Sequence, residues 1–175
     1  SQSQTLNGVT YTTNYTYDND NRLKQATSGN KSANYTYDAY GRMSNITAKS
    51  GTKSVVTTNI TFKDPSTTTT SAQIYKWAVG GTTYTYTYDA RGNMTAISDG
   101  SKTTTYVYDS FDQLIRENNQ AAGKTWVYTY DNGGNILTKK EYSYTTGTLG
   151  TALDTITYGY GDSSWKDLLT SYDGQ

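Results

Sequence analysis

Cysteine and histidine are both absent from the 175 residues. The first absence excludes disulfide staples, and the two together exclude the usual sulfur and imidazole metal sites. Nucleophilic catalysis would then fall to a Ser–Lys pair, and no motif singles one out among the scattered serines and lysines. Charge of one sign is missing too. The 15 basic and 15 acidic residues cancel, which argues against nucleic acid or an anionic membrane as the main partner. No run approaches the roughly 18 apolar residues of a membrane-spanning helix, and the N-terminus carries no apolar signal segment. Helix signals are sparse, with Lys166-Asp167-Leu168-Leu169 alone resembling a helical turn. These gaps imply no cofactor and no metal.

Aliphatic residues are also thin. Apolar types make up 33% of the chain and the mean hydropathy is −0.79, low for a globular core. Tyrosine makes up the deficit, with 19 Tyr against 2 Phe. Tyrosine has a large apolar body and a polar tip and, like the abundant threonine, favours strands. The composition therefore predicts an all-β chain.

Self-similarity is the strongest feature. Tyr15-Thr16-Tyr17-Asp18, Tyr35-Thr36-Tyr37-Asp38, Tyr86-Thr87-Tyr88-Asp89, Tyr106-Val107-Tyr108-Asp109 and Tyr128-Thr129-Tyr130-Asp131 are five copies of one motif. A worn sixth is Tyr158-Gly159-Tyr160-Gly161-Asp162. The long gap between the second and third copies hides a degenerate unit, Ile60-Thr61-Phe62-Lys63-Asp64. Clear units fall near 15–26, 35–46, 86–97, 106–117 and 128–139, and degenerate ones near 60–79 and 158–175. Residues 1–175 read as a single array of tandem antiparallel hairpins. The array would form a curved meander or solenoid-like sheet, each unit contacting its neighbours. The chain starts without Met and ends on Tyr172-Asp173-Gly174-Gln175, which resembles the start of another repeat. The expectation is a fragment of a longer protein.

The unit has a physical logic. Side chains two apart share a face of a strand, so both tyrosines point one way and the residue between them points the other. Asp then opens a turn. Three residues later stands Asn21, Gly41, Gly92, Asp112 or Gly134, the types that best tolerate positive φ. This predicts a type I turn followed by a Gly-type bulge. Two residues further comes Leu23, Met43, Met94, Leu114 or Ile136, placed to pair with the second Tyr on the same face. On this register Tyr17, Tyr37, Tyr88, Tyr108 and Tyr130 should be largely buried, in a continuous tyrosine ladder. Joining turns are expected at Asn7-Gly8, Ser28-Gly29-Asn30, Ser50-Gly51-Thr52, Gly80-Gly81, Asp99-Gly100-Ser101 and Ala122-Gly123-Lys124. Asp64-Pro65-Ser66 holds the one proline in a turn, and the tract 66–71 reads as a loop or strand edge.

Tyr35–Met43 and Tyr86–Met94 resemble the YD repeat of RHS proteins, and residues 158–175 are similar to the stretch that precedes the RHS core in bacterial wall-associated toxin-like proteins. The resemblance covers most of the chain and is poorest over 48–84. It implies a large secreted or cell-surface (cell-wall) protein whose repeats wind into a hollow β-shell that can enclose a C-terminal toxin. Related repeats occur in insecticidal toxin complexes and in animal teneurins. The implied partners are adjoining repeats of the parent chain and an encapsulated toxin domain. Some relatives cut themselves with a core beyond the repeats, so no catalytic residue is carried over. The repeat residues themselves, Tyr15, Tyr17, Asp18, Tyr35, Tyr37, Asp38, Gly41, Tyr86, Tyr88, Asp89, Gly92, Tyr106, Tyr108, Asp109, Tyr128, Tyr130, Asp131 and Gly134, are expected to be structural.

Two other readings compete. Asp18-Asn19-Asp20-Asn21 resembles the opening of a calcium loop but lacks its sixth-position Gly and twelfth-position Glu. Turn chemistry accounts for it, since Asp18 recurs in every copy. The tyrosines together with Trp77, Trp126 and Trp165 could instead stack on sugar rings, making a module for cell-surface glycans.

Overall fold

A computed structural model describes residues 1–64, 66 and 69–175. All regular structure among the described residues is β-strand or turn, and no helix is long and apolar enough to cross a membrane. Lys166-Asp167-Leu168-Leu169 forms a turn, with the Leu168 N–H donating to the Trp165 carbonyl at 3.1 Å. Strand order in the sheet follows chain order, and every described pairing is antiparallel. By its contacts the chain divides into two compact units, Ser1–Thr85 and Tyr86–Gln175.

The first unit contains β1 (Gln2–Leu6), β2 (Val9–Tyr17), β3 (Leu23–Ser28), β4 (Lys31–Tyr37), β5 (Met43–Ser50), β6 (Lys53–Phe62), β7 (Ile74–Val79) and the start of β8 (Thr82–Tyr88). Asn7 and Gly8 both take positive φ in the β1–β2 hairpin, as do Gly80 and Gly81 between β7 and β8. This is the backbone twist that two-residue hairpins require. Pro65, in the turn expected at 64–66, and Thr67 and Thr68, in the threonine-rich tract, lie outside the described residues.

The second unit holds the end of β8 and then β9 (Met94–Ser98), β10 (Thr103–Tyr108), β11 (Leu114–Asn119), β12 (Lys124–Tyr130), β13 (Ile136–Ser143), β14 (Asp154–Gly159) and β15 (Ser171–Tyr172). Gly159 replaces the Thr or Val that separates the tyrosines in other copies. A Cβ there would stand 3.1 Å from the Ser171 Cβ, so the glycine lets β15 pair closely with β14.

No hydrophobic side chain of the described residues is fully buried. The physical reason is that each unit is a single sheet layer, with rows of half-buried side chains on both faces. Among the described residues the two buried ones, Asn118 and Thr125, are polar. They lie on the face opposite Tyr106 and Tyr128, beneath the strap that carries Thr145 and Gly147. Asn118 Nδ2 donates to Thr105 Oγ1 at 2.8 Å, and Thr125 Oγ1 lies 3.0 Å from the Thr145 carbonyl. The Thr145 N–H donates to Thr125 Oγ1 at 3.0 Å. Arg116 holds the strap from below, donating to the carbonyls of Thr145 and Gly147 at 2.8 and 2.9 Å.

Candidate functional site: the aspartate turns and the tyrosine face

Each clear repeat closes in the same way. The Asp carboxylate accepts two backbone N–H groups through Oδ1, from the residues two and four positions on. The pairs are Asp20 and Arg22 for Asp18, Tyr40 and Arg42 for Asp38, Arg91 and Asn93 for Asp89, Phe111 and Gln113 for Asp109, and Gly133 and Asn135 for Asp131. The Asp backbone N–H meanwhile donates to the carbonyl four residues on. This Asx-turn arrangement satisfies groups a tight reversal would leave unpaired.

Positive φ falls at Asn21, Gly41, Gly92, Asp112 and Gly134, at 64°, 80°, 97°, 62° and 91°. The ladder then shifts by one residue, pairing Tyr17 with Leu23, Tyr37 with Met43, Tyr108 with Leu114 and Tyr130 with Ile136. Replacing Gly41 or Gly92 with Val is expected to cost about 1–2 kcal/mol, since a β-branched residue resists this conformation. Urea unfolding checks it, and variants as stable as the parent would contradict the turn assignment.

The degenerate unit keeps the scaffold and changes the tip. Phe62 pairs with Ile74 across the same one-residue shift, and the Lys63 N–H donates to the Gln73 carbonyl at 2.8 Å. Lys63 thus stands in the backbone place of the turn aspartate.

Neighbouring turns are tied together by the residue four after Asp. Arg42 binds its own Asp38 at 2.7 Å and reaches Asp64 through two contacts, at 2.7 and 3.2 Å. Asn93 bridges Asp89 and Asp112, and Asn135 bridges Asp131 and Asp167. Arg42, Asn93 and Asn135 thus each carry a link from their own turn to a carboxylate further along the chain. A sequence signal for it exists, because Arg22, Arg42, Asn93, Gln113 and Asn135 are all long or amide donors at one repeat position. Asp18 and Asp20 both pair with Arg22, at 2.8 and 2.9 Å, which ties the calcium-like tetrad into the turn.

The second tyrosine of a repeat reaches back to the repeat before it. The hydroxyls of Tyr37, Tyr108, Tyr130 and Tyr160 donate to the carbonyls of Leu23, Met94, Leu114 and Ile136 at 2.8, 2.9, 2.7 and 3.1 Å. This link corrects the expected deep burial of these rings. Tyr17 is 58% exposed, and Tyr37, Tyr88, Tyr108 and Tyr130 are half-buried. A half-buried ring with a bonded hydroxyl is how one layer uses a residue that is apolar along its body and polar at its tip.

The expected continuous tyrosine ladder is also interrupted. Tyr15 faces Ala26 and Tyr35 faces Ile46, but Tyr106 faces Glu117 and Tyr128 faces Lys139. A direct ring contact does join Tyr158 and Tyr172, edge to face at 5.5 Å.

The three tryptophans stand on different elements. Trp77, 42% exposed, sits on β7 between Ile60 and Tyr84. Trp126 on β12 donates from Nε1 to Glu141 at 3.2 Å, and Lys139 lies over its ring at 5.4 Å. Trp165 lies in the loop between β14 and β15.

The electrostatics follow from this geometry. Hydrogen bonds from the Arg22 side chain and N–H hold the Asp18 carboxyl below its usual range, and the Asn135 side chain and N–H do the same for Asp131. Burial opposes the shift at Asp38 and Asp89, but the donors of Arg42 and Asn93 outweigh it. A carboxylate depressed in the folded state contributes stability that is complete above its unfolded pKa and lost as pH falls through the folded value. Urea stability is therefore expected to decline below about pH 4. A constant or rising stability there would contradict the turn chemistry.

Tyr128 shifts the other way, its phenol pushed up to about 12 by burial and then by the Glu117 charge. Its contribution is complete below the usual phenol pKa and lost as pH rises through about 12. Tyrosinate absorbance should record a late-ionising phenol that is missing in Tyr128→Phe.

A search of the curated proteins finds no match. Among solved structures, the chain is similar to one described as the crystal structure of TcdB2-TccC3-TEV, with 20% identity and a TM-score of 0.48. That match covers 85% of this chain and 10% of the other, so the present chain spans about a tenth of that protein's length. A sequence model described as Teneurin YD-shell matches residues 67–166, more than half of the chain. The hairpins bracketed by aspartate turns and tyrosine links are a segment of a YD-repeat shell, and the chain belongs to the Teneurin YD-shell family.

Proposed function

We propose that residues 1–175 are one array of YD repeats forming part of the wall of a hollow shell in a larger secreted or cell-surface protein, and that this shell encloses or delivers a C-terminal toxin. The observation that carries the reading is the tyrosine hydroxyl that ties a hairpin to the backbone of the one before it. A sheet held by such links, with no apolar core of its own, gains most of its order from adjoining repeats. Its repeated residues serve architecture, and the segment is non-catalytic. Adjoining repeats and the enclosed domain are its partners.

Protease protection tests the reading in the full-length protein. Polypeptide following the repeats should resist digestion while the shell is intact. It should become cleavable when Tyr108 and Tyr130 are both replaced by Ala. Equal digestion in both proteins would defeat the enclosure.

The competing glycan-binding module is less well supported. Trp126 has both its ring face and its Nε1 engaged by the chain itself.

A further inference from the structure

Carboxylates beside aromatic rings in this chain repeatedly share a cation. Arg22 pairs with Asp18 and lies 4.6 Å over the Tyr37 ring. Arg42 pairs with Asp38 and lies 4.4 Å over the Phe62 ring. Lys139 lies over the ring of Trp126, whose Nε1 donates to Glu141, and Lys124 pairs with that same carboxylate. In the two arginine groups one cation satisfies both the carboxylate and the π-face, and in the third two lysines divide these roles.

Glu117 has the first two parts of this arrangement without the third. It pairs across the sheet with Tyr106 on one side and Trp126 on the other. Tyr128 lies two residues beyond Trp126 on the same strand and therefore on the same face. Three aromatic side chains thus surround one half-buried carboxylate. Its charge reaches two of them, raising the phenols of Tyr106 and Tyr128 after burial has done so.

No ion pair among the described residues involves Glu117. The nearby lysines are engaged, Lys124 with Glu141 and Lys139 with Trp126. One hydrogen bond reaches the carboxylate, from Asn119 Nδ2 to Oε1 at 3.1 Å. The Asn119 amide is oriented for this because its own Oδ1 accepts the Ala122 N–H at 2.9 Å. Among the described residues none donates to Oε2.

We propose that Glu117, Tyr106 and Tyr128 form a seat for an alkylammonium group, presented as a free amine or as a lysine side chain of a partner. The ammonium places one N–H on Glu117 Oε2 and its methylenes and charge against the tyrosine rings. A guanidinium suits the seat less, because Asn119 already occupies the oxygen that a two-pronged contact needs. The site is independent of whether the shell encloses a toxin.

The test titrates the 175-residue chain with n-butylammonium and with Nα-acetyl-lysine methylamide, following the ring proton signals of Tyr106 and Tyr128 by NMR. Saturable shifts are expected with both. Equal affinity places recognition in the ammonium group alone, and tighter binding of the lysine derivative points to a protein partner. Glu117→Gln should weaken binding by about tenfold or more, the loss of one charge-assisted hydrogen bond. n-Butanol, of the same length and without charge, should produce no saturable shift in the unaltered chain, a control that does not depend on a variant folding. Absence of saturable shifts, equal response to n-butanol, or unweakened binding by a folded Glu117→Gln would each overturn the site.

Discussion

Thr125→Val is expected to lower stability by about 2 kcal/mol although it preserves shape, because it deletes a hydroxyl at the most buried point of the chain. The Thr145 N–H donates to that hydroxyl at 3.0 Å, and the variant leaves it facing a methyl group. Breaking one partner of a buried polar contact costs the desolvation of the group left behind, which exceeds the net worth of an ordinary hydrogen bond. Arg116→Met acts on the same strap from below. It removes the donors to the Thr145 and Gly147 carbonyls and the bond from Nε to Asn118, with a loss of similar size. Urea unfolding measures both effects. Chymotrypsin should cut faster at Leu149 in either variant. Unchanged stability together with unchanged cleavage would show that residues 144–149 are held by something else.

Tyr130→Ala is expected to cost about 2 kcal/mol, somewhat less than truncation of a fully buried aromatic, because the ring is half-buried. Two contributions add. The ring stands opposite its cross-strand partner Ile136, and the hydroxyl holds the Leu114 carbonyl at 2.7 Å. Tyr130→Phe separates them, since it keeps the ring and loses only the hydrogen bond, at about 1 kcal/mol. The phenol of Tyr130 is raised by burial and then by the Asp109 charge, so ionising it at high pH should weaken the same link. A Phe variant as stable as the parent would reduce the tyrosine to packing alone.

The turns and the strand register were legible in the sequence because they rest on local chemistry. Asp followed by a residue that tolerates positive φ, with an apolar residue two further on, sets the reversal within about eight residues. Even the worn unit at Ile60-Thr61-Phe62 announced itself through strand alternation. Burial was not legible, because it depends on how many layers the sheet has. Tyrosines that look like core in the alternation are half-buried in a single layer. The backward reach of Tyr37, Tyr108, Tyr130 and Tyr160 was hidden for a related reason, since each acceptor is a backbone carbonyl, which has no signature in the sequence. The donor four residues after each Asp is visible in the sequence, but only the structure shows that Arg42, Asn93 and Asn135 reach a second carboxylate. The strap at residues 144–149 was missed because its hydrogen bonds use backbone groups of a Gly- and Thr-rich loop with no repeat to compare. The charges that interrupt the tyrosine face, Glu117 and Lys139, stand in plain view in the sequence. Only the cross-strand register shows that they face Tyr106 and Tyr128.

The most direct test of whether the tyrosine face is architecture is a paired measurement on Tyr108→Ala, of thermal stability and of glycan binding. The account predicts a Tm lower by about 4–8 °C, as a loss near 2 kcal/mol gives in a chain of this size, and no saturable glycan binding by the unaltered chain. An unchanged Tm, with saturable glycan binding in the unaltered chain that the variant loses, would contradict it.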